Sequence, residues 1–432
     1  MSDVPADLVP GDYRRVVGAA SVGTFIEIYD LLVYGYFASI LAEQFFPRQD
    51  PTAALLATFA IYAVGFAVRP IGAIIFGHIG DRVGRRAALT SSLLLMSGST
   101  LAFGLLPNYN AVGVLAPALL LICRLLQGLS ASGELTGANV LVLEYAPSGR
   151  QGRAVAVVNA VGNLGAATAA AIGFTLARVL PPEQLADWGW RVAFLAAAPI
   201  GFVGLYLRIR ALDSPAFIAL GGRFRGDRPP LMQALRSGKR GLLVLGAWTA
   251  GASLGGYLLV GFLPSYLIRN GRISAADAFA ANGVSILVLV LSTLSGGYLI
   301  DRYSLRQVAV GVGLGVMVTT LPAFLIIMRS ETLAGAMLGQ SILAMFLGAA
   351  GVLGAFLGLV LFPVPIRFTG TALASNVAVT LFGSTAPYVS TWLTAATGGS
   401  ISLAFYLLAT MSVALIAVTL GLRPVRAHPA QT

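Results

Sequence analysis

The sequence predicts an all-α membrane protein with twelve transmembrane helices in two six-helix halves related by a pseudo-two-fold axis. Three observations carry this. The chain is 57% hydrophobic and 10% charged, with a mean hydropathy of +0.84, a membrane composition. Apolar segments of the ~20 residues needed to cross a bilayer recur about twelve times. A charged, glycine-rich stretch, Gly77–Arg86, has an echo about 220 residues later at Gly297–Arg306. The leading Gly, the Asp-Arg pair (Asp81-Arg82 and Asp301-Arg302) and the final Arg recur at the same offsets. A repeat that far apart describes two copies of one unit.

The apolar segments run over 16–43, 52–77, 87–107, 112–144, 151–180, 190–211, 241–268, 276–299, 307–328, 333–362, 368–394 and 400–422. Several exceed one bilayer thickness, so tilt or extension beyond the membrane is expected. An even number of spans places both termini on one side. With that side cytoplasmic, 20 of the 28 Lys and Arg residues fall inside, 6 outside and 2 within spans. The asymmetry predicts cytoplasmic termini. The longest polar interval, 212–240, carries Pro229-Pro230 and a run of arginines, and reads as the cytoplasmic linker. The expected division is therefore 1–211, a first half; 212–240, the linker; and 241–432, a second half with a short tail.

The rest of the inventory excludes several classes. The net charge of +11 is spread along the chain rather than clustered as on a nucleic-acid-binding face. Cys123 stands alone in an apolar run, which excludes an internal disulfide and suits inert packing. His78 and His428 fall at or beyond membrane ends, so no metal site or cofactor is expected. The acidic start, Met1–Asp12, lacks the basic region of a cleavable signal.

Ionisable groups inside a span cost roughly 2.5–3.5 kcal/mol on insertion scales and are functional candidates by default. Segment 1 carries Glu27 and Asp30, three residues apart and so on one helical face. Two close, buried carboxylates resist simultaneous ionisation, which suits proton uptake and release. The alternative is that one of them pairs with an arginine. Segment 2 carries Arg69, which either snorkels to the interface or faces the cavity and binds an anion. The loop after it supplies Gly77, Gly80, Asp81, Arg82, Gly84, Arg85 and Arg86. Its glycines allow a tight turn, and its Asp can sit at a helix N-terminus and pair with arginines. Breaking such pairs, here and at Asp301 and Arg302, would accompany a rocking of the halves. Segment 4 carries Arg124, Gln127 and, about 15 Å beyond Arg124, Glu134. Arg124 is too deep to snorkel easily and needs a carboxylate partner from protein or solute. Segment 5 is Ala- and Gly-rich and suits close helix packing.

The second half offers neutral groups for solute contacts, among them Tyr257, Tyr266, Asn282, Gln340 and Asn376. Each serves equally well as glue between helices.

Gly77–Arg86 resembles the loop between helices 2 and 3 of the major facilitator superfamily, and Gly297–Arg306 resembles the loop between helices 8 and 9. Glu27-x-x-Asp30, Arg69-Pro70-x-Gly72, Arg124 to Gly128, Gly133-Glu134, Glu144-x-Ala146-Pro147 and Phe362-Pro363 to Gly370 together look like the metabolite:proton symporter family. Its members include proline/betaine, α-ketoglutarate, citrate and shikimate transporters. The resemblance implies the major facilitator fold, alternating access, the cell inner membrane and action as a monomer. The chain departs from the family pattern at Ile28 and Leu31, where aromatic residues are usual, and at Tyr145, Pro365 and Ser375. It also lacks an arginine in the middle of segment 5, which tells against a dicarboxylate held by two deep clamps.

The leading expectation is proton-coupled symport of a small organic acid. Arg69, Arg124, Gln127, Tyr257, Tyr266 and Asn376 would bind the carboxylate solute, and Glu27, Asp30 and Glu134 would handle the proton. The alternatives are a betaine-type zwitterion symporter, with Trp248, Tyr257 and Tyr29 as candidate cage residues, and a proton-driven exporter of a siderophore-like acid or drug. An enzyme is not expected, since the spans contain no His and Cys123 has no base near it in sequence. A channel is disfavoured by the repeat and by the lack of a pore-loop segment.

Overall fold

A computed structural model of the chain describes residues 10–47, 50–69, 85–131, 149–197, 238–270, 273–362, 367–397 and 401–422, with isolated positions between them. Among these residues every regular element is a helix. The first half contributes α1 (Pro10–Tyr36), α2 (Pro51–Ala67), α3 (Arg85–Gly104), α4 (Leu115–Ser130), α5 (Gln151–Val179) and α6 (Trp190–Leu195). The second contributes α7 (Lys239–Tyr257), α8 (Ala275–Arg302), α9 (Leu305–Arg329), α10 (Leu333–Leu361), α11 (Arg367–Ala378) and α12 (Ile401–Gly421). Each of the twelve apolar segments therefore contains a helix.

Helix starts follow from local chemistry. Asp50 accepts from the amides of Thr52 and Ala53, with Pro51 in the first turn of α2. Ser304 and Gln307 form a reciprocal capping box on α9. Ser274 and Thr332 cap α8 and α10. Three departures from straight spans stand out. Segment 1 turns at Phe37 into a short helix, Ala38–Phe45. Segments 7 and 11 pass through π-helical stretches, Leu258–Phe262 and Val379–Gly383, before resuming as Leu263–Arg269 and Ala386–Thr397. Such bulges re-aim side chains within a span and cluster at functional sites.

Among the described residues, three of the seams between the halves stand out. On the first, the Ser265 hydroxyl donates to Gly35 O at 3.1 Å, joining α1 to the end of segment 7. On the second, Thr380 donates to Phe66 O at 3.5 Å, joining α2 to segment 11. On the third, α5 lies on α8, where a Cβ on Gly297 would fall 2.7 Å from Gly152 O. Small residues are what allow this approach, since lipid provides no hydrophobic force between helices. Asn282 and Gln340 act as glue, Asn282 to the first half and Gln340 within the second. Tyr36 donates to Asn282 Oδ1 at 2.7 Å, and Asn282 Nδ2 donates to Gln340 Oε1 at 2.9 Å. Trp248 is fully buried, and its indole donates to Ala350 O at 2.9 Å.

Candidate functional site

Four helices of the first half converge on one small cavity. On α1, Glu27, Asp30 and Tyr34 follow at spacings of three and four and so share a face. Tyr62, Phe66 and Arg69 do the same at the end of α2. Thr100 comes from α3, and Arg124 and Gln127 from α4. The backbones of α2 and α4 touch here: a Cβ on Gly128 would fall 1.7 Å from Gly65 O, and one on Gly65 would fall 2.9 Å from Arg124 Cγ. Two glycines thus let Arg124 lie across α2.

Glu27 and Asp30 face the same cavity but take different partners. Arg69 Nη1 lies 3.4 Å from Glu27 Oε1, and its guanidinium stacks 4.2 Å from the centre of the Phe66 ring. Arg69 lines the cavity, with only 11% of its side chain exposed. Asp30 instead accepts from the Thr100 hydroxyl and, at 3.1 Å, from Gln127 Nε2. Gln127 Oε1 accepts from Arg124 Nη1 at 3.0 Å, so Arg124 reaches Asp30 through an amide. The Arg124 guanidinium is held between two rings, 4.8 Å from Tyr34 and 4.6 Å from Tyr62. Asp30, Thr100, Arg124 and Gln127 are all buried. Two carboxylates and two guanidiniums balance in charge, which limits the cost of keeping them out of water.

An aromatic layer closes the cavity toward the second half. Tyr257 packs edge-on against Phe66 at 5.7 Å and against Tyr62 at 6.4 Å. Among the described residues the buried Tyr62 hydroxyl has no hydrogen-bond partner. Inside this layer the free space is about 10 Å³, room for about one water molecule. The helices must part before a solute can enter.

Other candidates stand elsewhere. Tyr266 lines a separate cavity of about 200 Å³ between α2 and segments 7 and 11, with Arg269 at its edge. Asn376 is half-buried on α11. Trp248 and Tyr29 are committed to packing, the latter through a 2.6 Å bond to Ala193 O, so of the three proposed cage residues only Tyr257 joins the ring layer, against Phe66 of the cavity wall. Glu134 and the loop residues Gly77, Gly80, Asp81, Arg82 and Gly84 lie outside the described residues, and Arg85 and Arg86 open α3. Asp301 bridges the halves: its carboxylate accepts from the Gly152 amide at 2.7 Å, the Arg153 amide at 3.2 Å and Arg153 Nε at 2.8 Å. It thereby caps the N-terminus of α5 from α8. Arg302 turns to the Tyr298 hydroxyl. Sequence reasoning missed Thr100, Tyr34, Tyr62, Phe66 and Arg153. The ring positions had a signal, since Tyr34 is four residues beyond Asp30 and Phe66 three before Arg69.

Comparison with known proteins fits this architecture. The family model for the Major Facilitator Superfamily matches residues 20–386. The Proline/betaine transporter of Escherichia coli (strain K12) is 32% identical over 421 residues, covering 94% of this chain and 83% of that protein. The Glycine betaine/proline/ectoine/pipecolic acid transporter of Dickeya dadantii is 31% identical over 427 residues, covering 95% and 83%. Among solved structures, the partially occluded inward-open xylose transporter from E. coli superposes with a TM-score of 0.73 at 16% identity, covering 95% of this chain and 97% of that one. The fold, the matched family model and these relatives together make the chain a member of the Major Facilitator Superfamily, a multi-pass membrane transporter and not an enzyme.

Proposed function

We propose that the chain is a proton-coupled symporter of a small zwitterionic solute of the betaine or proline class. The observation that carries this is the junction of the buried Arg124 and the largely buried Arg69 with the Tyr62–Phe66–Tyr257 aromatic layer. A betaine-type solute presents a carboxylate at one end and a methylated ammonium at the other. Guanidiniums suit the first and ring faces the second. The organic-acid expectation uses the arginines but leaves the aromatic layer without a task. The relatives, named for proline and betaine, also favour the zwitterion. Ile28, where the family pattern has an aromatic, lies toward Gly162 of α5 and is not among the cavity-lining residues.

In this reading the solute carboxylate is taken by Arg124 and Arg69, and its ammonium by the rings of Tyr62, Phe66 and Tyr257. Asp30 carries the proton. The halves, 1–211 and 241–432, rock about the midplane site, and the Asp301 cap on α5 is one contact that forms and breaks. We place the protein in a bacterial inner membrane with both termini cytoplasmic, on the arginine asymmetry. The charged groups that line the cavity favour a small charged or zwitterionic solute over a bulky apolar one. Uptake of labelled glycine betaine and proline by proteoliposomes tests the reading. It requires uptake stimulated by an inward proton gradient and lost in Asp30→Asn and Arg124→Ala. Stimulated uptake of simple carboxylates alone would return the organic acid to first place.

A further inference from the structure

The hydrogen bonds around Asp30 admit two mutually exclusive settings. We propose that Gln127 is the positioning residue that switches between them, so that protonation of Asp30 releases Arg124 to take the solute carboxylate. The inference rests on the proton-coupled zwitterion reading above.

A glutamine amide has one acceptor oxygen and one donor nitrogen, and an arginine has donors only. In the observed setting the Gln127 oxygen is spent on Arg124 Nη1 at 3.0 Å. Its nitrogen is spent on Asp30 Oδ1 at 3.1 Å and Thr100 Oγ1 at 3.0 Å. The Thr100 hydroxyl points at the same Asp30 oxygen. Two donors on one carboxylate oxygen suit the ionised form, which only accepts.

A proton on Asp30 Oδ2 would leave these bonds standing; one on Oδ1, the case the relay requires, meets those donors head-on. Its O–H needs an acceptor, and the Gln127 oxygen supplies one if the amide turns over. The turned amide then presents its nitrogen to Arg124, donor facing donor, and the guanidinium loses its partner. Thr100 yields easily, because Met96 O lies 2.9 Å from its hydroxyl as a second acceptor. All four side chains are 4% exposed or less and the cavity beside them has room for about one water, so a bond left unmade is costly. Arg124 keeps its place between Tyr34 and Tyr62 and faces the cavity with free N–H groups. The proton stays on Asp30, and no bond between heavy atoms changes.

The surrounding charges fit this assignment. On α1, Asp30 has Glu27, Tyr29 and Tyr34 for neighbours, and α2 adds Arg69 and Tyr62. Arg69 is engaged with Glu27, and Arg124 of α4 reaches Asp30 only through Gln127. The elements beyond contribute Tyr257 from α7, behind the rings, the neutral Thr100 from α3 and, from α6, the Ala193 carbonyl that takes the Tyr29 hydroxyl. Linkage makes the consequence reciprocal: if the proton raises solute affinity, the solute raises proton affinity by the same factor. That mutual dependence is what symport requires.

The test is equilibrium binding of glycine betaine to the purified full-length protein in nanodiscs, on the acid and alkaline sides of neutrality. Wild type should bind at least about tenfold more tightly at the acid pH, within the usual range for coupled sites. Gln127→Leu, which cannot hold Arg124, should bind with a pH dependence below about twofold. A Gln127→Leu profile as steep as wild type overturns the relay and leaves the function standing. Loss of binding at every pH, in protein that still unfolds cooperatively, also overturns it, because Gln127 would then be a direct ligand contact. Infrared difference spectra across the same pH step need no solute. The Asp30 carboxylic band, absent in Asp30→Asn, should appear together with a glutamine side-chain shift that is absent in Gln127→Leu. A carboxylic band without that shift overturns the relay even if betaine is not the solute.

Discussion

Replacing Asp301 with alanine should open the end of the protein on which α5 begins. Three bonds are lost: those from the Gly152 and Arg153 amides and that from Arg153 Nε. The two amides are orphan donors of the first turn of α5, and Arg150 at its N-cap makes no side-chain cap bond of its own. Losing a carboxylate cap of this kind costs about 1–2 kcal/mol. The ion pair adds less than about 1 kcal/mol, because 48% of the Arg153 side chain is exposed and solvent screens it. The contact joins α5 of one half to α8 of the other, so the loss of about 2 kcal/mol falls on conformations in which these ends touch. That shifts the balance between closed and open forms about thirtyfold. Spin labels at the exposed positions Arg150 and Arg306, read by pulsed dipolar spectroscopy, report the separation. Asp301→Ala should move most of the population from the short to the long distance. An unchanged distribution in folded protein would refute the claim that Asp301 latches the halves.

Three further outcomes follow from the packing. Gly128→Val should cost transport at least about tenfold, because its side chain would meet Gly65 O and push α2 from α4, an overpacking of about 1–3 kcal/mol at the seat of Arg124; uptake assays beside thermal unfolding measure it, and normal uptake would show that this close approach is dispensable. Tyr62→Leu should weaken betaine binding about five- to thirtyfold through loss of a desolvated ring face. Trp248→Phe should leave affinity unchanged and lower thermal stability, since its indole serves only Ala350 O; titration calorimetry separates the two.

The sequence carried the spans because bilayer burial demands long apolar runs, and it carried Glu27, Asp30, Arg69 and Arg124 because charge in a span is rare. It did not carry their pairing. Glu27 and Asp30 look equivalent three residues apart, yet α2 offers one an arginine while α3 and α4 offer the other a hydroxyl and an amide. Nothing in one segment tells which neighbour lies across from it. Tyr257 was legible as a candidate, but the Tyr62 ring was hidden for a different reason: among 14 tyrosines, it differs from Tyr29 only in where its helix faces. Trp248, attractive by type, points into α10. Asp301 was legible as half of a repeat, but its partner Arg153 lies 148 residues away on the other half.

The most direct test of the central claim is the effect of membrane potential on betaine uptake in proteoliposomes at a fixed proton gradient. A zwitterion moving with one proton carries one charge, so an inside-negative potential of ~100 mV adds about 2.3 kcal/mol, roughly a fiftyfold rise in accumulation. The account predicts that rise, and its loss in Asp30→Asn. Betaine uptake that ignores the potential would mean that no net charge moves with the solute, and would contradict it.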